Sequence, residues 1–230
     1  MTNKREEPVP AITTVAEYIG QSAIRVAATQ LGPRYSSSEA KRILAEWVEF
    51  FASGPSAIQD LELVSRTPRR LFEALAAQRQ LRRLSVKWGD YEDLSALSEL
   101  TDLSYLRLGG ASNVRHLRPL SELPAVAELE LESLRHAHDP GPIGAMSGIT
   151  SLAIAGAVWS LRIAHVDSIA FLRQMPQLRR LWLEAVIVDD LDYSPVLELP
   201  SLQNVWVMKA RGMRPAFEDL VASTPWDARD

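Results

Sequence analysis

The chain lacks cysteine, a basic excess and any long apolar run. Without cysteine there can be no disulfide, no thiolate metal ligand and no cysteine nucleophile. A net charge of −4 over 230 residues argues against a nucleic-acid partner, because such proteins usually carry a strong positive excess. No stretch approaches the roughly 18 consecutive apolar residues of a membrane span, so we expect no membrane insertion.

The first residues, MTNKREEPVP, also lack the apolar run of a secretory signal. We therefore expect a disordered arm over residues 1–12 and a cytoplasmic location. The hydrophobic content of 47% and charged content of 23% are typical of a globular protein, and the length suffices for one good core. We expect the protein to be a monomer.

One apolar spacing recurs along most of the chain, with apolar residues at positions one, four and six of a short segment. The pentapeptide QLRRL, present at 80–84 and 177–181, belongs to two of these copies. Seven copies begin at Ile58, Leu81, Leu103, Val126, Ile149, Leu178 and Leu202. Their separations are 23, 22, 23, 23, 29 and 24 residues, and such a nearly constant period indicates a repeat architecture.

This pattern resembles the leucine-rich repeat family, whose unit reads L-x-x-L-x-L with a period of about 20–29 residues. Further leucines, as in YEDLSALSELTDL, support the second half of the unit. The short bacterial repeats of the internalin type are the most similar, over about residues 58–208. The resemblance implies an α/β solenoid with a curved parallel sheet on its concave face and short helices or 3-10 segments on its convex face. It also implies a non-enzymatic protein-binding role.

The chain departs from the family at one position. Where the repeat usually places Asn or Cys to bond the backbone of a turn, this sequence has Arg66, Gly89, Ala111, Leu134, Ala157, Val186 and Ala210. The backbone groups that such a side chain would satisfy must find other partners. We therefore expect a less regular solenoid with uneven curvature.

Both ends of such a solenoid need covers, because the end repeats would otherwise expose core. Ser36 and Glu39 form a capping-box pattern before an apolar stripe that includes Trp47. A second helix is predicted from Thr14 to about Leu31. We expect a helical cap over 13–57, repeats over 58–210, and a cap helix from about Arg214 with a tail over 211–230. In the alternative, the N-terminal helices form an effector or enzyme-associated module, and the repeats only recognise its target.

No combination of residues predicts catalysis. His136 and His138 lie near Asp139 before a Pro-Gly-Pro segment, which favours a solvated loop over a metal site. His165, Asp167 and Ser168 are close in sequence, but adjacency does not make a triad, and Ser168 or Asp167 more simply caps the following helix. We predict no enzyme activity, no cofactor and no metal.

Side chains alternate along a strand, so positions three, five and seven of each unit should form three rows on the concave face. Glu128, Glu130 and Glu132 then make one acidic strand beside Tyr105 and Arg107. Lateral charge pairs can be purely structural, at a few tenths of a kcal/mol each. Three carboxylates on one strand exceed what pairing needs, so they predict a partner with a basic surface.

The same rows place Trp182 and Trp206 on adjacent strands, with Arg180 and Met208 beside them. Tryptophan is enriched among interface hot spots, and exposed apolar patches commonly mark contact sites. In the alternative, the extra loop of the 29-residue unit, GAVWSLRIAHVDS, folds over the indoles. The predicted protein-binding site is therefore Trp182, Trp206, Met208, Arg180, Tyr105, Arg107, Glu128, Glu130 and Glu132, in a scaffold or an inhibitor of the immunity type.

Overall fold

A computed structural model describes residues 10–157 and 162–227, and within them nine parallel strands form one sheet. In spatial order these strands are β1 (Ala11–Ile12), β2 (Ala23–Val26), β3 (Asp60–Thr67), β4 (Arg83–Gly89), β5 (Tyr105–Leu108), β6 (Glu128–Glu132), β7 (Ser151–Ala155), β9 (Arg180–Glu184) and β11 (Asn204–Val207). A second parallel pair joins β8 (Ala164–Val166) to β10 (Val186–Val188). The predicted α/β repeat solenoid is confirmed.

The apolar positions of the repeat build one continuous core. Leu84, Leu106, Leu129 and Leu152 lie side by side in the strand register, and none is more than 1% exposed. Burying a leucine side chain stabilises the fold by about 1.5–3 kcal/mol. The core of each repeat is covered only by the repeats on either side of it. The repeats therefore stabilise one another and do not fold singly.

Short helices carry the chain back along the convex side. Within the described residues, two are α-helical, α2 (Arg69–Ala74) and α3 (Ser194–Leu197), and α2 continues as a 3-10 turn, Leu75–Ala77. The other repeats use 3-10 helices, at Ser95–Glu99, Arg118–Glu122, Gly141–Ala145 and Ala170–Gln174. A 3-10 helix has three residues per turn, so leucines spaced by three share one face. Leu94, Leu97 and Leu100 have this spacing and are all fully buried.

The prediction of a helix from Thr14 to about Leu31 is wrong. The capping pattern is present, since Glu17 Oε1 accepts from Thr14 N at 2.8 Å, but it begins only a single 3-10 turn, Val15–Glu17. The chain then enters β2, which pairs with β3 and adds Ile24 to the core. The sheet therefore begins inside the segment predicted as a helical cap, and residues 11–12 of the predicted arm form β1. Residues 1–9 lie outside the described part of the chain.

A helix is present where the sequence predicts one before the first repeat, as α1 (Ser37–Ala52). Glu39 Oε2 accepts from Ser36 N at 2.7 Å, which completes the capping box. Trp47 and Phe51 are fully buried, and α1 packs against α2. The helix therefore covers the core of the first repeats.

The far edge of the sheet is covered by the C-terminal segment. The helix expected from about Arg214 begins later, as α4 (Phe217–Ala222). Beyond it the backbone pairs with β11, since Val205 N donates to Pro225 O at 3.1 Å and Asp227 N donates to Val205 O at 2.9 Å. Covering an edge strand in this way removes a site for edge-to-edge association.

The turns after the strands are satisfied by backbone groups instead of an asparagine ladder. Ser133 has φ of 62° and donates from N to Ala155 O at 2.8 Å, and Gly156 N donates to Glu184 O at 2.8 Å. Each bond joins a turn to the next repeat. The positions where the family usually has Asn or Cys hold buried apolar residues in several repeats, including Ala111, Leu134 and Val186.

Substituting Gly109 by alanine should lower the free energy of unfolding by about 1–3 kcal/mol, as overpacking does. A Cβ at this position would lie 2.3 Å from Lys87 O, a backbone atom of the neighbouring strand that cannot move aside alone. The matched control is Gly32→Ala, because nothing lies within 4 Å of a Cβ there. Urea unfolding of both variants measures the difference, and equal effects would show that the close approach at Gly109 is unimportant.

Candidate functional site

The concave face consists of the rows that the repeat spacing predicts. The strand register aligns one row as Asp60, Arg83, Tyr105, Glu128, Ser151, Arg180 and Asn204. It aligns the next as Arg25, Glu62, Ser85, Arg107, Glu130, Ala153, Trp182 and Trp206. The predicted site residues on these rows therefore share one face of the sheet.

All three glutamates of β6 have cationic partners on this face. Glu130 lies 3.5 Å and Glu132 lies 3.3 Å from Arg107, while Glu128 lies 3.6 Å from Arg180. The Arg180 contact passes over β7, whose residue in that row is the small Ser151. The carboxylates thus form lateral pairs, and at this exposure each pair contributes no more than about 1 kcal/mol.

Burial perturbs two groups of this network. Burial raises the pKa of Tyr105 to about 12, and the nearby charge of Glu130, which accepts a hydrogen bond from the phenol at 3.2 Å, adds to the effect. Burial also raises the pKa of Glu132, an effect that Arg107 partly offsets and Glu184 reinforces. The guanidinium of Arg83 lies 4.0 Å from the centre of the Tyr105 ring. Charge and aromatic contacts therefore tie the middle strands together.

Small side chains on β7 leave a depression that we call the β7 trough. Its floor is formed by Ser151, Ala153 and Ala155, and the cavity has a volume of about 340 Å³. One wall carries Glu130 and Glu132 with Arg107, and the other carries Trp182 and Glu184. The trough is one place on this face where a partner side chain could insert below the level of the neighbouring side chains; a second depression on the face is lined by Arg25, Glu62 and Lys87.

The two predicted indoles lie side by side at the C-terminal end of the face. Trp206 pairs in register with Trp182, which itself pairs with Ala153, and both rings are partly buried. Met208 is also partly buried, and its N–H donates to Leu183 O at 3.2 Å. The apolar end of the face is therefore continuous with the β7 trough.

The extra length of the 29-residue unit is used for β8, which pairs with β10 beyond the end of the main strands. Residues of the insertion on both sides of its tip line a cavity with Trp88 and Gly110, away from the β7 trough. The tip, residues 158–161, lies outside the described residues, so the folding of this loop over the indoles stays an alternative to an exposed tryptophan pair.

Trp88 is a partly buried aromatic residue that is not part of the predicted site. The site is predicted from positions three, five and seven of each unit, and Trp88 follows position seven of its unit. Its ring lies 5.9 Å from the guanidinium carbon of Arg66, which itself pairs with Asp90. The sequence feature that indicates the position of Trp88 is the pair Gly109-Gly110 in the next repeat. A Cβ on Gly110 would lie 2.5 Å from Trp88 Cβ, so the tryptophan needs a glycine there.

Two of the histidines singled out in the sequence, His138 and His165, make structural contacts. His138 Nδ1 lies 3.2 Å from His165 O, and His165 Nδ1 lies 2.6 Å from Asp189 Oδ1. Ser168 Oγ accepts from Ala170 N at 3.1 Å at the start of a 3-10 helix. Within residues 10–157 and 162–227, no three His, Cys, Asp or Glu side chains are grouped so that they could hold a metal ion.

In the same described ranges, no helix has the length and apolar character that crossing a membrane requires.

Comparison with known proteins identifies the fold of the chain. No protein-family profile matches the chain, and no curated protein matches it. Among solved structures, an internalin (inlF) from Listeria monocytogenes is 21% identical, with a TM-score of 0.55 over 66% of this chain and 41% of that one. An internalin C2 from the same organism is 17% identical, with a TM-score of 0.45 over 71% of this chain and 75% of that one.

The chain matches less than half the length of the first of these internalins. At this identity the likeness concerns the fold, and it agrees with the parallel sheet, the repeat register and the convex 3-10 helices. The chain has the leucine-rich repeat fold that is also found in internalins.

Proposed function

We propose that the chain is a non-enzymatic protein-interaction module that binds a protein on the concave face of its solenoid. The observation that carries the proposal is the β7 trough with the Trp182 and Trp206 pair beside it. Aromatic side chains next to a recess are the usual anchors of protein interfaces. A scaffold and an inhibitor of the immunity type both fit this role.

The charges of the face favour specificity over long-range attraction. Five basic side chains are balanced by six acidic ones: Arg25, Arg83, Lys87, Arg107 and Arg180 against Asp60, Glu62, Glu128, Glu130, Glu132 and Glu184. A basic partner surface stays our prediction, but it would have to exchange partners with Arg107 and Arg180 to reach the carboxylates of β6. Fixed pairs of this kind select a complementary surface more than they accelerate its approach.

Replacing Trp182 and Trp206 together by alanine should weaken partner binding by about 30-fold or more, the loss expected for a hot spot of about 2 kcal/mol. The measurement is the affinity of a partner isolated with the wild-type protein, by calorimetry. The control is Arg118→Ala, on an exposed residue of a convex 3-10 helix. Unchanged affinity in a double variant that unfolds like the wild type would refute the proposed face.

The alternative, in which the N-terminal region carries an effector activity, has less support. β2 is a strand of the main sheet, and α1 buries Trp47 and Phe51 in the common core. A segment built into the core in this way suits a cover better than a separable module. The cytoplasmic location and the monomeric state stay predictions, and sedimentation equilibrium tests the second.

A further inference from the structure

A second concavity, here called the rim pocket, lies at the C-terminal ends of the strands. Its volume is about 610 Å³, and its walls include Trp88, Leu134, Arg135, Arg162, Ile163 and His165. None of the residues that form the floor or walls of the β7 trough belongs to it. The rim pocket is therefore distinct from the β7 trough, and a third depression, whose lining includes Trp88, Gly110, Arg107 and Glu132, connects the two regions.

The fold holds the opposite walls of the rim pocket in place. On one side the chain turns at Gly110 with φ of 52°, and Trp88 occupies the space that a side chain there would need. On the other side Ala157 and Arg162 exchange backbone hydrogen bonds of 2.9 and 3.3 Å, and β8 follows directly. The backbone pairing of Ala157 with Arg162 fixes the position of Ile163.

The interior of the rim pocket is apolar and open to solvent. Ile163 is 48% exposed and is one of three large apolar residues that are exposed within the described ranges. Trp88 is partly buried, and Ala164 and Leu134 are buried beneath. Polar side chains, which are Ser112, Ser133, Arg135, Arg162 and His165, complete its lining. An open recess that combines an aromatic wall with polar groups is a usual form of ligand site.

The charged side chains that line the rim pocket are of one sign. Arg135 and Arg162 line it, and within the described part of the chain neither forms an ion pair. Arg66, next to Trp88, is in contrast paired with Asp90, and His165 is paired with Asp189. No Asp or Glu is among the lining residues. The pocket therefore complements a negative charge carried next to an apolar group.

We propose that the rim pocket binds an acidic peptide segment in which a carboxylate side chain neighbours an aromatic or large aliphatic one. The apolar side chain lies against Trp88 and Ile163, and the carboxylate meets Arg135 and Arg162. Guanidinium groups suit carboxylates because they donate two parallel hydrogen bonds. This assignment concerns the pocket alone and holds whether or not the concave face binds a partner.

The test uses two small probes, N-acetyl-phenylalanyl-glutamate amide and its glutamine counterpart, titrated into isotope-labelled full-length protein. We expect the glutamate peptide to shift the Trp88 indole N–H and the Ile163 methyl resonances while leaving the Trp182 and Trp206 indoles unchanged. Trp88→Phe identifies the indole signal. The glutamate peptide should bind about threefold to fivefold more tightly than the glutamine peptide, the ratio for a solvent-exposed charge contact.

The double variant Arg135→Gln, Arg162→Gln should bind both peptides equally, and both arginines are exposed, so the fold should persist. Equal affinities for the two peptides in the wild-type protein would overturn the proposal. So would shifts at Trp182 instead of Trp88, an absence of shifts up to the solubility limit, or a charge preference that survives in the double variant. None of these results would bear on the concave face, which is tested by its own tryptophan variants.

Discussion

Replacing Trp47 by alanine is expected to lower the free energy of unfolding by about 3–5 kcal/mol, as for other buried tryptophans. Its side chain is fully buried in α1 and stacks on Phe51 with ring centres 5.3 Å apart. Its indole N–H donates to Thr13 O at 2.7 Å, which fastens the segment before β2 to the helix. The substitution would leave a cavity and also leave that carbonyl without its partner. Urea unfolding followed by circular dichroism measures the loss.

The control for Trp47 is Lys41→Ala, on the exposed side of the same helix, which should change the free energy of unfolding by no more than about 0.5 kcal/mol. The shape of the transition is informative as well. If α1 covers the shared core, the whole chain should unfold in one step at lower urea. A biphasic transition, in which the repeats keep the wild-type midpoint, would instead show that residues 13–57 fold as a separate module.

Replacing Gln78 by methionine should be nearly as damaging, at about 2–4 kcal/mol, because each buried polar group left unsatisfied costs about 1–3 kcal/mol. Gln78 is fully buried. Its amide donates to Phe51 O at 2.7 Å and to Gly54 O at 2.5 Å, and its carbonyl accepts from Ser56 N at 3.2 Å. One side chain thereby satisfies the backbone where α1 ends and the first predicted repeat begins. Methionine keeps the volume but none of these bonds.

Gln203→Met is the matched control for Gln78, because Gln203 is exposed. We expect that variant to unfold with the midpoint of the wild-type protein. Thermal unfolding by calorimetry compares the two. A Gln78→Met protein as stable as the Gln203→Met protein would show that the junction between α1 and the first repeat does not depend on this side chain.

The repeats could be predicted from the sequence because their cause is local. An inward residue at positions one, four and six must be apolar in every unit that shares the core, so the pattern recurs along the chain. The repeat pattern does not predict β2, because its unit has the polar Gln21 at position one and is separated from the next unit by α1. With only Ile24 and Val26 to mark it, the strand is recognisable from its pairing with β3.

The contacts of the concave face were only partly predictable. Spacing gives the nearest neighbours, such as Arg107 and Glu130, but not contacts that skip a strand. Arg180 reaches Glu128 because Ser151 between them is small, which is a property of three strands together. The rim pocket was missed for a similar reason, since its walls come from Trp88, from the turn at Gly110 and from the insertion that contains β8.

Residues of the core alternate along β7 with residues that form the floor of the trough. Leu152 and Ile154 point into the core and are fully buried, whereas Ala153 and Ala155 form the floor of the trough. Larger or smaller residues at the floor positions would change the depth of the recess without touching the core packing beneath. If the trough binds a partner as we propose, its affinity and choice of partner can be altered by exchanging side chains on which the core packing does not depend.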